Sequence, residues 1–140
     1  MTQTTQIDLE TAILQANAEF YRAFSAADFG AMSELWAKHA PVLCIHPLAP
    51  VLVGRTAVLD SWRKILQEQL RFEMRCVQPR VHLFGTHAIV TCYEATSGHP
   101  PHLAASNSFV LEDSIWRMVH HQAGPLAQPL VRTDPPADLN

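Results

Sequence analysis

The chain has 140 residues, 48% of them apolar and 16% charged, with ten basic against thirteen acidic side chains. That is the size of one domain with enough apolar surface for a core. A net charge of −3 argues against nucleic acid, whose phosphates demand clustered Lys and Arg, and no segment reaches the roughly 20 apolar residues of a membrane helix.

The opening "MTQTTQIDLE" lacks the basic start and apolar run of a secretory signal, so none is expected. Asp8 is placed to cap a first helix. Leu9, Ile13, Ala16, Phe20, Phe24 and Ala27 recur at helical spacing, with Asn17 on nearly the same face and Tyr21 beside it. Asp28 can cap a short second helix whose apolar side is Met32, Leu35, Trp36 and His39, and Pro41 stops it.

"PVLCIH" reads as a strand with Val42, Cys44 and His46 on one face. "PLAP" breaks it, and after Gly54 a third helix turns Val58, Leu59, Trp62, Ile65 and Leu66 toward the core. Beyond Leu70 the pattern changes to strands. In "RFEMRCVQPRVHLFG" Pro79 would cost a ladder bond, which predicts a bulge, a kink or an edge position. "THAIVTCYEA", "LAASNSFVLE" and "SIWRMVHHQ" follow as three more strands. Their short connections predict sequential antiparallel pairing. Residues 1–124 then form one α+β domain of three helices on a curved antiparallel sheet. Residues 125–140 form a proline-rich tail, extended or disordered, in which Leu126, Leu130 and Val131 could dock on a partner.

Cys44, Cys76 and Cys92 are odd in number, far apart and set among apolar neighbours. They read as buried, reduced thiols of a cytoplasmic protein. No CxxC pair occurs, and "HPPH" with His99 and His102 lacks a third ligand, so no metal and no cofactor is expected.

The residues that invite chemistry are few. His46 ends its strand before a bend, and histidine titrates near neutrality. The alternative is a histidine that ties down the bend. His120 shares an alternation face with Trp116 and Met118, which predicts that it points inward, while His121 points to the outer face. Asn107 is a lone amide on the apolar face of Leu103, Ala105, Phe109 and Leu111, and such a group needs a partner. Trp36, Trp62 and Tyr21 lie on helix faces that cover the sheet. Among the strand carboxylates only Glu94 lies on a largely apolar face, with Ala88, Val90 and Cys92.

The order "ANAEFYRAF…DFGAMSELW…VLCIHPLAPVLVGRTAVLDSWRKIL…AASNSFVLEDSIWRMVHHQAG" resembles the SnoaL-like branch of the nuclear transport factor 2-like superfamily, from about Leu9 to Gly124. The resemblance implies a cone-shaped α+β barrel, with the third helix at its mouth and a homodimer packed through the outer sheet face. The superfamily includes ketosteroid isomerase-like enzymes, polyketide cyclases, dehydratases and members without known activity. Its isomerase-type members use an inward carboxylate base and an oxyanion donor.

Three functions fit. One is a pocket for a small, mostly apolar molecule, lined by Tyr21, Trp36, Trp62 and Asn107. Another is a cyclase, isomerase or dehydratase in which His46 or His120 is the general acid or base. The last is a dimeric interaction module with a vestigial pocket. His46, Trp62, Asn107 and His120 are expected to converge on one cavity.

Overall fold

The computed structural model describes residues 5–68 and 73–131. The start expected for the first long strand, at Arg71 and Phe72, and the end of the proline-rich tail lie outside the described residues.

Three helices, α1 (Gln6–Ala26), α2 (Phe29–Leu35) and α3 (Arg55–Glu68), pack on one face of a six-stranded sheet. The strands are β1 (Leu43–Ile45), β2 (Val51–Val53), β3 (Met74–Phe84), β4 (His87–Thr96), β5 (Leu103–Glu112) and β6 (Ile115–Pro125). They lie in the order β2-β1-β6-β5-β4-β3, so the sheet is open, with β2 and β3 as its edges. The sequential antiparallel pairing expected for the last four strands is present. β1 departs from it by running parallel to β6, and the short strand β2 was not expected at all.

Local chemistry explains where the elements begin and end. Thr5, not Asp8, caps α1. Its hydroxyl accepts from the Asp8 amide at 3.1 Å, leaving the Asp8 carboxylate in the first turn beside the positive end of the helix. Ala27 closes α1 in the left-handed region, and its N–H bonds back to Ala23 and Phe24. Asp28 caps α2 as expected, accepting from the Ala31 amide at 3.0 Å. The second helix ends before His39, because Trp36 becomes extended and bridges Met118 of β6.

The carbonyls left over at the end of α2 are satisfied from elsewhere in the chain. Arg55, the first residue of α3, donates to the carbonyl oxygens of Ser33, Trp36 and Ala37 at 2.8–2.9 Å. Just beyond, the Glu112 carboxylate accepts from the amides of Lys38, His39 and Ala40 at 2.7–3.0 Å. Bonds to a charged group are each worth about 1.5–3 kcal/mol. Replacing Arg55 with Met should therefore lower stability by about 2–3 kcal/mol in chemical denaturation, since the carbonyls lose a charged donor.

Two bulges shape the sheet. In β3, Gln78 and Pro79 together oppose a single β4 residue, with Gln78 at φ 54°. Pro79 thus sits both in a bulge and on an edge strand, where its missing N–H is tolerated. In β6 the register slips between Ser108↔His120 and Phe109↔Met118, so Val119 is the extra residue. The β5–β6 turn is tight, with Asp113 and Ser114 both at positive φ.

The core lies between α1, α3 and the sheet. Phe20 is fully buried, with ring centroids 4.8 Å from Tyr21, 5.3 Å from Trp62 and 4.9 Å from His121. After β6 the chain does not leave the body at once. Leu126 and Leu130 donate backbone bonds to His102 and Pro101 at 2.9 Å.

Candidate functional site

Asn17 and Tyr21 stand one helical turn apart on α1 and point at the inner sheet face. Facing them are Cys76 of β3, Cys92 and Glu94 of β4, Asn107 of β5 and His121 of β6. The Tyr21 hydroxyl donates to Glu94 Oε2 at 2.7 Å. The Tyr21 hydroxyl oxygen accepts from Asn107 Nδ2 at 3.2 Å and lies 3.2 Å from Cys92 Sγ. Asn107 Nδ2 also donates to Asn17 Oδ1 at 2.8 Å, and Asn17 Nδ2 reaches Cys76 Sγ at 3.5 Å.

With both protons of the Asn107 amide committed, its oxygen is an acceptor. His121 Nδ1 must then carry a proton and donate to it, at 2.6 Å. Asn17, Glu94, Asn107 and His121 are all at most 2% exposed. A buried polar cluster is stable only when its members satisfy one another, and these do.

Burial sets the protonation states. It pushes the Glu94 carboxyl up to about 7, with the Tyr21 bond pulling the other way. It also pulls His121 down to about 3, with the nearby His46 and His120 adding to the effect. Burial and the Glu94 charge raise the Tyr21 phenol well above its usual range, so it stays neutral and able to donate. The group poised near neutrality is therefore a carboxyl.

Tyr21 is also where this network meets open space. A cleft of about 780 Å³ lies between the end of α1 and the start of β3, lined by Tyr21, Ser25, Ala26, Met74, Arg75 and Cys76 among others. The Ser25 hydroxyl fixes its width, accepting from the Met74 amide at 2.9 Å and donating to the Met74 carbonyl at 3.2 Å.

The six residues singled out in the sequence divide into groups. Tyr21 and Asn107 are bonded to each other within the network. His46 and Trp62 pack edge to face at 4.9 Å and join it through His121, whose ring is 6.4 Å from His46 and 5.7 Å from Trp62. Phe20 and Phe24 pack on Trp62 beside them, with ring centroids at 5.3 and 5.1 Å. His46 Nε2 lies 2.9 Å from Ser61 Oγ, whose own proton goes to the Val58 carbonyl. His46 is thereby a donor that fastens β1 to α3, and burial lowers its pKa. Trp36 is fully buried beside Met118 and touches no part of the network.

His120 is placed differently from the expectation. Cys44 pairs with His121, and Leu43 pairs with His120. His46 shares the face of Cys44, so His46 and His120 lie on opposite sides of the sheet. The Val119 bulge is the reason. An extra residue inverts the alternation, so Trp116 and Met118 point inward and then His121 and Ala123 do. Removal of His121 should cost about 3 kcal/mol, because it strips Asn107 of a partner and opens a gap beside Phe20. His120→Ala should cost less than about 1 kcal/mol. Urea midpoints of the two variants would compare them, and the reverse order would refute the bulge.

The layered arrangement of three helices on an open, six-stranded mixed sheet is that of the nuclear transport factor 2-like α+β fold. A model of the SnoaL-like domain matches residues 13–128, and the chain belongs to that family. Among solved structures it is similar to a candidate dehydratase of the NTF2-like family from Streptomyces avermitilis, at 30% identity and TM-score 0.80, covering 89% of this chain and 100% of that one. It is also similar to a candidate calcium/calmodulin-dependent protein kinase type II association domain from Thiobacillus denitrificans. There the identity is 36% and the TM-score 0.71, over 79% of this chain and 92% of that one. Among curated proteins it is 28% identical over 114 residues to the F-box protein SKIP8 of Arabidopsis thaliana. That match spans 80% of this chain and 48% of the relative, so the chain covers about half the length of the curated protein it resembles.

Proposed function

We propose that the protein binds a small, mostly apolar molecule in the cleft between α1 and β3, and that the Tyr21–Glu94 pair exchanges a proton with it. The observation that carries this reading is the 2.7 Å bond from Tyr21 to Glu94, made by a residue that also lines the cleft. When Glu94 is protonated its O–H donates to the Tyr21 oxygen, which frees the phenol proton to turn toward the cleft; Glu94 thus stores the proton near neutral pH and Tyr21 presents it. That division suits a cofactor-independent elimination or isomerisation of a carbonyl compound, in which one group takes a proton and another stabilises or protonates oxygen. The similarity to a candidate dehydratase supports the same class. In this reading the carboxyl replaces His46 and His120 as the acid–base group.

Anilinonaphthalene sulfonate, an apolar probe with one charge, tests the cleft. It should bind once per chain. Ala26→Trp, a change at an exposed position on the rim, should weaken binding by at least about tenfold without altering the unfolding temperature. Binding that ignores this substitution would remove the cleft from the proposal.

Self-association is a second reading. Leu43, Val51 and Val53 are 39%, 55% and 69% exposed along the β1–β2 edge, and paired apolar edges of this kind are normally covered. A homodimer is expected in light scattering, and a monomer at high concentration would contradict it. No described helix is long and apolar enough to cross a membrane. Three unpaired thiols and a net charge of −3 fit a reducing cytoplasm and a partner other than nucleic acid.

A further inference from the structure

Two of the three cysteines are neighbours in space, which their separation in sequence conceals. Cys76 pairs across the sheet with Glu94, and Cys92 is the next inward residue along β4. Both side chains face α1: Asn17 lies against the Cys76 sulfur at 3.5 Å, and Tyr21, one turn further along the helix, lies against the Cys92 sulfur at 3.2 Å. The two sulfurs have different surroundings. Cys76 is half-buried and lines the cleft. The neighbouring Cys92 thiol, together with the Asn17 amide that donates to the sulfur at 3.5 Å, outweighs burial, so negative charge on Cys76 is favoured. Cys92 is 4% exposed and lies 3.2 Å from the Tyr21 hydroxyl, which is itself bonded to Glu94.

We propose that Cys76 and Cys92 form a hydroperoxide-reactive dithiol, with Cys76 as the attacking sulfur and Cys92 as the resolving one. In the first step the Cys76 thiolate attacks the terminal oxygen of a hydroperoxide, ROOH. The O–O bond breaks, RO⁻ leaves and takes a proton to become an alcohol, or water when R is hydrogen. Cys76 is now a sulfenic acid. In the second step the Cys92 sulfur attacks the Cys76 sulfur. The S–O bond breaks and the hydroxide leaves as water with the Cys92 proton. Two thiols lose two electrons in total, and the peroxide gains them.

The surroundings permit the new bond. Disulfides need Cβ atoms about 3.5–4.5 Å apart, closer than diagonal neighbours on adjacent strands normally lie. Here the β3 bulge at Gln78 and Pro79 lies directly opposite Cys92, and β3 is an edge strand held by one neighbour only. An inward shift of that edge is the movement that would join the sulfurs. Oxidation would draw Cys76 away from Asn17 and change the wall of the cleft, so the state of the dithiol would be read by whatever the cleft binds. Cys44 is an internal control. It is buried and its pKa is pushed up to about 12, chiefly by burial.

The full chain, reduced and then exposed to dilute hydrogen peroxide, would be digested without reductant and mapped by mass spectrometry. The expected product is a single peptide pair joined through Cys76 and Cys92, lighter by two hydrogens, with Cys44 still free. In Cys92→Ser, dimedone should trap a sulfenic acid on Cys76. In Cys76→Ser, thiol loss should slow by at least about tenfold, toward the rate of an ordinary buried thiol. Three intact thiols after treatment, preferential oxidation of Cys44, or disulfides linking separate chains would each overturn the proposal. So would a Cys76→Ser protein that reacts as fast as the wild type.

Discussion

Replacing Glu94 with Gln should make the protein more stable by on the order of 3 kcal/mol at pH 8 and by about 1 kcal/mol at pH 5, and leave it nearly unchanged at about pH 4. Burial raises the Glu94 carboxyl to about 7 in the folded chain, against an ordinary value near 4.3 when unfolded. The folded state therefore binds this proton more tightly. Stability from it is fully present below about pH 4.5 and is lost as pH rises through about 7, at about 1.36 kcal/mol for each unit between the two values. Gln keeps the oxygen that accepts from Tyr21 and has no charge to bury, so its stability curve lacks this decline. Denaturant titrations at several pH values would show it. The opposite outcome, a variant weaker at pH 8 than at pH 5 relative to the wild type, would mean that Glu94 is held ionised by partners. A residue whose removal stabilises the fold is one whose presence needs a functional reason.

The second large effect should come from Asn107→Ala, which is expected to destabilise by about 3–5 kcal/mol at every pH from 5 to 8. Asn107 bonds to Asn17, Tyr21 and His121 at once, and all three are buried. An orphaned buried polar group costs about 1–3 kcal/mol, and this change orphans two or three. His121 adds a decline in acid that wild type and variant share. Its folded pKa, near 3, lies below the ordinary 6.5, so its contribution is present above about pH 6.5 and is lost as pH falls toward 3. A loss under about 1 kcal/mol in equilibrium unfolding would show that the network relaxes around the gap.

Much of this was legible in the chain. The spacing of Ile13, Phe20 and Phe24 defined the first helix, and Asn107 was recognisable as an amide in need of partners. Other features left no local trace. β2 is three residues after a proline-rich bend, too short for a period to register. Arg55 and Glu112 serve backbone groups 18 or more positions away, and such caps have no sequence spacing to betray them. Val119 is the sharpest case. Strict alternation through "WRMVHHQ" carries the inward face to His120, while one bulged residue hands it to His121. Glu94 gave a usable signal as the one strand carboxylate on a largely apolar face. The histidines overshadowed it because their ordinary pKa already lies near neutrality, whereas a carboxyl reaches that range only through burial.

Glu94 is a buried carboxyl raised toward neutrality and connected to the cleft by Tyr21. Isotope-edited NMR of the Glu94 side-chain carboxyl carbon would measure it directly. The predicted midpoint is near pH 7. It should move higher in Tyr21→Phe, because the hydroxyl bond that favours the ionised form is gone. A midpoint in the ordinary carboxylate range, unmoved by loss of the Tyr21 hydroxyl, would contradict the account.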